Sequence, residues 1–213
     1  MKFENTKVYN IVRAVYSARN PMNSWAKSDS DLDKDILGIS DLTLAQKLIK
    51  AGSEHRKFMR QIFLSVDITA PLYWWKEFDT YKVGTVSNSC STMHKLASTP
   101  ITRECFEMDD FQDFNLESQD MVFPLKSTWE SLISDLEFCR KKYNETKDKR
   151  YWKELIRLLP ESWLQKRTIT MNYENVFNMY RQRKNHRLVE WSDKFINWVK
   201  TLPYANELLF WDK

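Results

Sequence analysis

The clearest pattern of hydrophobic and polar positions along the chain is an alternation over residues 62–69. Leu64, Val66 and Ile68 share one face of this segment, which is typical of a half-buried β-strand. A shorter β-branched run at residues 168–171 predicts a second strand.

Most other apolar positions recur at helical spacing. The predicted helices are residues 41–51 ended by Gly52, the aromatic-rich residues 72–79 after Pro71, residues 127–143 opened by a capping box, residues 150–159 before Pro160, residues 173–183 capped by Asn172, and residues 188–201. We expect loops or irregular structure at residues 20–34, 83–92 and 101–124, and either a strand or a short helix at residues 7–16. The pattern predicts an α+β class in which helices dominate.

Composition limits the classes of protein to which this chain can belong. The length of 213 residues fits one compact domain, or one domain with small appendages. Only three glycines are present, which excludes glycine-rich phosphate loops of the dinucleotide-binding or Walker type. The three cysteines and three histidines lack metal-ligand spacing, so neither a disulfide framework nor a structural zinc site is expected. Because no apolar run is long enough for a membrane span, we expect a cytoplasmic protein with no membrane insertion.

Positive charge is concentrated in one stretch of the chain. The net charge is +4, yet residues 134–187 alone contain 14 Lys and Arg against 7 Asp and Glu, a balance of +7. Tyr143, Tyr151, Trp152 and Trp163 are interleaved with these cations. This combination suits a nucleic acid or a phosphate-bearing ligand, whereas a solvated helix face is the simpler interpretation.

The order of features along the chain resembles one family of enzymes. A Glu54-His55 pair precedes the first strand, and Pro71 precedes the aromatic helix. Much later, Leu-Pro, a Thr-rich strand and Asn172 lead into a helix that ends at Arg183. This order resembles that of the flavin-dependent thymidylate synthases, over roughly residues 44–203. The resemblance implies a helix-rich single domain over residues 1–213, with a small mixed or antiparallel sheet.

The family signature is Arg-His-Arg-x-x-Ser-x-Asn-Glu-x-Ser-x-Arg-Tyr, and without gaps it falls on residues 80–93. In this register Lys82 replaces an Arg, and Cys90 stands at the family's active-site Ser. A register shifted by one residue matches the signature at Asn88 and Ser91 instead. Both registers remain open.

The resemblance implies a role for nine side chains. These are Cys90 and Ser91 as catalytic positions beside the pyrimidine, Glu77, Lys82 and Arg183 as substrate contacts, and His55, Asn88, Asn172 and Asn178 as FAD contacts, with no metal. Local chemistry offers simpler interpretations, since Asn172 is a good helix cap and Arg183 lies in a charged helix end. Glu174 stands where the family has a flavin-binding Arg.

The implied reaction moves a methylene group from methylenetetrahydrofolate to carbon 5 of dUMP, with FAD, reduced by NADPH, supplying the hydride. The family is homotetrameric, with sites shared between subunits. A variant enzyme that modifies another pyrimidine nucleotide is a second interpretation. A third is a catalytically inactive member that binds nucleic acid or protein. The departures from the family signature are compatible with a viral source, in which case the protein would act in the host cytoplasm.

Overall fold

The computed structural model describes residues 1–108 and 119–210 of the chain. Its strands are β1 (Lys2–Tyr9), β2 (Phe63–Pro71), β3 (Val86–Ser89) and β4 (Leu164–Asn172). Its helices are α1 (Ile11–Ser17), α2 (Ile39–Ala51), α3 (Leu72–Phe78), α4 (Thr92–Lys95), α5 (Gln119–Thr146), α6 (Lys149–Leu158), α7 (Tyr173–Arg183), a π-helix at Glu190–Phe195, α8 (Ile196–Lys200) and α9 (Ala205–Leu208). Single 3₁₀ turns lie at Asn20–Met22, Trp25–Lys27, Lys57–Gln61 and Arg103–Cys105.

The four strands form one antiparallel sheet in the order β1-β2-β4-β3. The alternation that predicted β2 is borne out, because Leu64, Val66 and Ile68 are at most 1% exposed. The strand continues to Pro71, so this proline ends β2, and α3 begins at the next residue. The expected helix-rich α+β class with a small antiparallel sheet is confirmed.

Contacts between residues divide the chain into two compact units. Unit 1 comprises Met1–Lys2, Thr69–Phe78 and Ser89–Arg167, and unit 2 comprises Phe3–Ile68, Asp79–Asn88 and Thr168–Lys213. Strands β2 and β4 contribute residues to both units. No helix of the described residues is long and apolar enough to cross a membrane.

The core of unit 1 forms between helices α5 and α6 and the segment that follows α4. Leu136 and Leu155 are fully buried there, and Tyr151 and Trp163 pack against the same cluster. Trp152 donates a hydrogen bond from Nε1 to the carbonyl oxygen of Met93 at 3.1 Å. These three aromatic side chains of the basic segment are half-buried, and each contributes to packing or hydrogen bonding within the unit.

The core of unit 2 includes a buried ion pair that holds the start of α2. Arg19 and Asp41 are 5% and 0% exposed, and Arg19 Nε lies 2.5 Å from the carboxylate of Asp41. The hydroxyls of Ser28 and Ser30 donate to the other carboxylate oxygen at 2.5 Å. A buried carboxylate requires such compensation, since its desolvation is costly.

Several element boundaries differ from the sequence-based expectation. Helix α5 begins at Gln119, eight residues before the capping box at Ser127. The predicted loop at residues 83–92 contains β3 and the start of α4, because an edge strand needs only a partner and no apolar alternation of its own. Of the predicted irregular stretch 101–124, residues 109–118 lie outside the described residues.

Candidate functional site

A cleft in unit 1 brings both predicted catalytic positions together. This cleft, called the Cys90 cleft, has a volume of about 390 Å³ and is lined by Cys90 and Ser91. Its walls also include side chains that the sequence did not single out, among them Lys95, Glu104, Trp163 and Lys166. The cleft therefore combines nucleophilic, cationic and aromatic groups.

Strand β4 holds the Cys90 segment in place. The backbone N–H of Cys90 donates to the carbonyl oxygen of Lys166 at 2.9 Å. The side-chain amide of Gln165 donates to the carbonyl oxygen of Cys90 at 3.0 Å and to the hydroxyl of Thr92 at 3.2 Å. These bonds fix the backbone of Cys90, and its side chain is exposed.

Ser91 caps helix α4 and also contacts a histidine. Its Oγ accepts the backbone N–H of His94 at 3.2 Å and lies 2.7 Å from His94 Nδ1. The carboxylate of Glu104 lines the same cleft, and a hydrogen bond from the Thr102 hydroxyl lowers the pKa of Glu104. The lining of the cleft thus contains both lysine side chains and a carboxylate.

A larger cleft in unit 2 contains the predicted flavin contact His55. This His55 cleft has a volume of about 720 Å³, with apolar walls from Leu44, Leu48 and Phe58 and a polar rim that includes Lys57. The size is within the roughly 300–1,000 Å³ that small-molecule sites occupy. His55 is exposed, and its backbone N–H donates to the carbonyl oxygen of Gly52 at 3.1 Å.

The segment at residues 81–85 is held against both ends of helix α7. At one end, Tyr81 Oη accepts a hydrogen bond from Arg183 Nε at 2.8 Å. At the other end, the side-chain amide of Asn175 donates to the carbonyl oxygen of Val83 at 2.6 Å. Lys82 lies between these two anchors and is exposed. Of the two predicted phosphate contacts, Lys82 therefore lies on this segment and Arg183 donates a hydrogen bond to it.

A glycine permits the close approach at the amino-terminal end of α7. Gly84 has a φ of +78°, and a Cβ there would lie 2.9 Å from the amide nitrogen of Asn172. Asn172 forms a reciprocal capping box with Asn175, and each side-chain oxygen accepts the other residue's backbone N–H. The cap interpretation of Asn172 is confirmed by this geometry, while its contact with a flavin stays a prediction.

No family model matches the chain, and no curated protein matches it. Two crystal structures of the flavin-dependent thymidylate synthase ThyX from Helicobacter pylori, both with FAD and dUMP, match it with a TM-score of 0.70. The first is 17% identical and the match covers 100% of this chain and 99% of that chain; the second is 16% identical and covers 100% and 98%. The chain has the ThyX fold. At this identity the likeness concerns the fold alone.

Glu174, for which the sequence resemblance implies the replacement of a family Arg, forms an ion pair with Arg56. Arg56 Nε lies 2.9 Å from one carboxylate oxygen and Nη2 lies 3.0 Å from the other. The guanidinium also lies 4.5 Å from the centroid of the Phe177 ring. Sequence reasoning missed this pair because its members are 118 residues apart.

The remaining predicted residues are distributed over both units. Glu77 lies half-buried on α3 of unit 1, and Asn88 is exposed on edge strand β3. Asn178 is half-buried on α7. Among the described residues that line the His55 cleft, none of the three predicted asparagines occurs. Nor do residues 1–108 and 119–210 contain a cluster of three metal-binding side chains.

Proposed function

We propose that the chain is a flavin-dependent thymidylate synthase-like enzyme that binds FAD and dUMP and methylates the pyrimidine at carbon 5. The observation that carries the proposal is the match over the full length of both chains to ThyX complexed with FAD and dUMP. A pyrimidine nucleotide is the proposed substrate. NADPH and methylenetetrahydrofolate are the proposed co-substrates, and a homotetramer is the proposed assembly.

We place the flavin ring system in the His55 cleft. Leu44, Leu48 and Phe58 provide apolar walls of the kind that a planar heteroaromatic ring requires, and the volume of about 720 Å³ accommodates it. His55 and Lys57 on the rim supply donors for the polar parts of FAD.

We assign the nucleotide phosphate to Arg183 and Lys82, and the pyrimidine to Cys90, Ser91 and Glu77. A guanidinium donates two parallel hydrogen bonds to phosphate oxygens, and a lysine adds a point charge. Each site of the proposed homotetramer takes residues from more than one copy of the chain. Asn88, Asn172 and Asn178 remain proposed flavin contacts on the same basis.

The role of the protein in this reaction is binding and orientation. When bound, the reduced flavin supplies the hydride that converts the transferred methylene group into a methyl group. Arg183 and Lys82 hold the phosphate, which restricts the orientation of the bound nucleotide. The aromatic and apolar side chains exclude water from the ring face.

Two measurements on the purified full-length chain test the proposal. We expect FAD to bind and to give flavin absorbance at about 450 nm. We expect the FAD-loaded protein to form dTMP from dUMP when methylenetetrahydrofolate and NADPH are present. A folded protein that binds neither FAD nor dUMP would refute the proposal. If such a protein bound DNA with an affinity that falls steeply with salt, it would be a nucleic-acid-binding module instead.

A further inference from the structure

The guanidinium of Arg183 lies against two neighbouring aromatic rings of unit 2. Its central carbon is 5.5 Å from the centroid of the Tyr81 ring and 5.1 Å from that of Trp191. Trp191 is fully buried within the π-helix, so one side of this arrangement is rigid. Such cation–ring contacts favour one orientation of the guanidinium plane.

The hydroxyl of Tyr81 adds a directional contact. Tyr81 Oη lies 2.9 Å from Oε1 of Gln182, and this amide oxygen can only accept a hydrogen bond. The tyrosine proton therefore points at Gln182, and the lone pairs of Oη face the Nε–H of Arg183 at 2.8 Å. The hydroxyl is thus oriented by one neighbour so that it accepts from the other.

The backbone on the far side of Tyr81 is also restrained. The hydroxyl of Thr85 donates to the carbonyl oxygen of Tyr81, and the backbone N–H of Thr85 donates to that of Lys82 at 3.4 Å. Gly84 and Val83 then contact the amino-terminal end of α7. These contacts close the turn and anchor it at two places, so the backbone position from which the Tyr81 side chain extends is fixed.

We infer that Tyr81 is a positioning residue for the phosphate of the nucleotide. Its hydroxyl engages Nε of Arg183, so this contact fixes the direction in which the guanidinium faces a phosphate monoester. Holding the guanidinium before the ligand arrives reduces the entropy lost on binding. The inference rests on the proposed function, because it takes Arg183 as the phosphate contact.

The test compares Tyr81→Phe with the unmodified chain, with FAD present, by calorimetric titration of dUMP and of deoxyuridine. The substitution keeps the ring and removes only the hydroxyl. We expect the dissociation constant for dUMP to rise about 10-fold, as for the loss of a hydrogen bond to a charged group, and that for deoxyuridine to stay unchanged. Tyr9→Phe, at a tyrosine that is 51% exposed, is the matched control and should change neither.

A double-mutant cycle separates positioning from a merely structural role. In an Arg183→Lys background, which removes the Nε donor, Tyr81→Phe should change dUMP affinity by less than about 2-fold. Equal losses for dUMP and deoxyuridine, or an undiminished loss in the Lys background, would overturn the inference. If Arg183→Ala weakens dUMP binding and Tyr81→Phe does not, the positioning role fails and the proposed function stands. If the unmodified, folded chain does not bind dUMP, both fail.

Discussion

The ion pair between Arg56 and Glu174 gives a quantitative prediction. The two side chains are 12% and 10% exposed, and the carboxylate receives hydrogen bonds from both Nε and Nη2. Glu174→Gln keeps the shape and one acceptor but removes the charge, so the guanidinium remains almost buried without its counter-ion. Breaking a fully buried pair from one side costs about 3–5 kcal/mol. Because about a tenth of each side chain reaches water and the glutamine oxygen still accepts, we expect about 2–3 kcal/mol here.

The assay is urea unfolding at neutral pH, from which the free energy of unfolding is obtained by linear extrapolation. Glu161→Gln is the matched control, because its partner Lys76 is 70% exposed and Glu161 itself is 52% exposed. That exposed pair should contribute less than about 1 kcal/mol. The double variant Arg56→Met/Glu174→Leu should recover most of the lost stability, since it removes both charges. If Glu174→Gln costs no more than Glu161→Gln, the reasoning about burial is wrong.

Three further predictions concern stability. Asp41→Asn should lower the free energy of unfolding by about 3–5 kcal/mol in the same assay, because it leaves the buried Arg19 unpaired, and a loss below 1 kcal/mol would contradict this. The hydrogen bond from Arg140 lowers the pKa of Glu137 from 4.5 to about 2. Since the folded pKa lies below the unfolded one, about 2–3 kcal/mol of stability is present above pH 4.5 and is lost as the pH falls towards 2. Glu137→Gln should flatten that pH dependence in acid titrations of unfolding, and an unchanged slope would count against the pair. Gly84→Ala, at a φ of +78°, should cost about 1–2 kcal/mol, and a melting temperature equal to that of the unmodified chain would show that the turn tolerates a side chain.

Sequence patterns predicted those elements whose structure is determined by residues close together along the chain. Strand β2 followed from period-two alternation, and helix α7 was predicted with the correct limits because Asn172 caps it and the charged Arg183 ends it. Strand β3 has no such signal, since all four of its residues are exposed and only pairing with β4 defines it. The start of α5 was missed because a capping-box sequence inside a helix looks the same as one that marks the start of a helix.

The candidate site divides in the same way. Cys90 and Ser91 were singled out through the family resemblance. Gln165 and Lys166 belong to β4, and they reach the same cleft only because β4 runs beside the Cys90 segment. Tyr81 is 102 residues from Arg183, and no pattern within either segment indicates that they touch. Long-range pairing of this kind is a property of the folded chain, which single-sequence periodicity does not contain.

The most direct test of the proposed enzyme follows a labelled carbon. The FAD-loaded chain would be supplied with NADPH, dUMP and methylenetetrahydrofolate carrying ¹³C in its methylene group, and the nucleotides would be separated and analysed by mass spectrometry. The account predicts dTMP in which the new methyl group carries the label. Labelled dTMP should be absent when NADPH is omitted. Unchanged dUMP after incubation with folded, FAD-loaded protein would contradict the account.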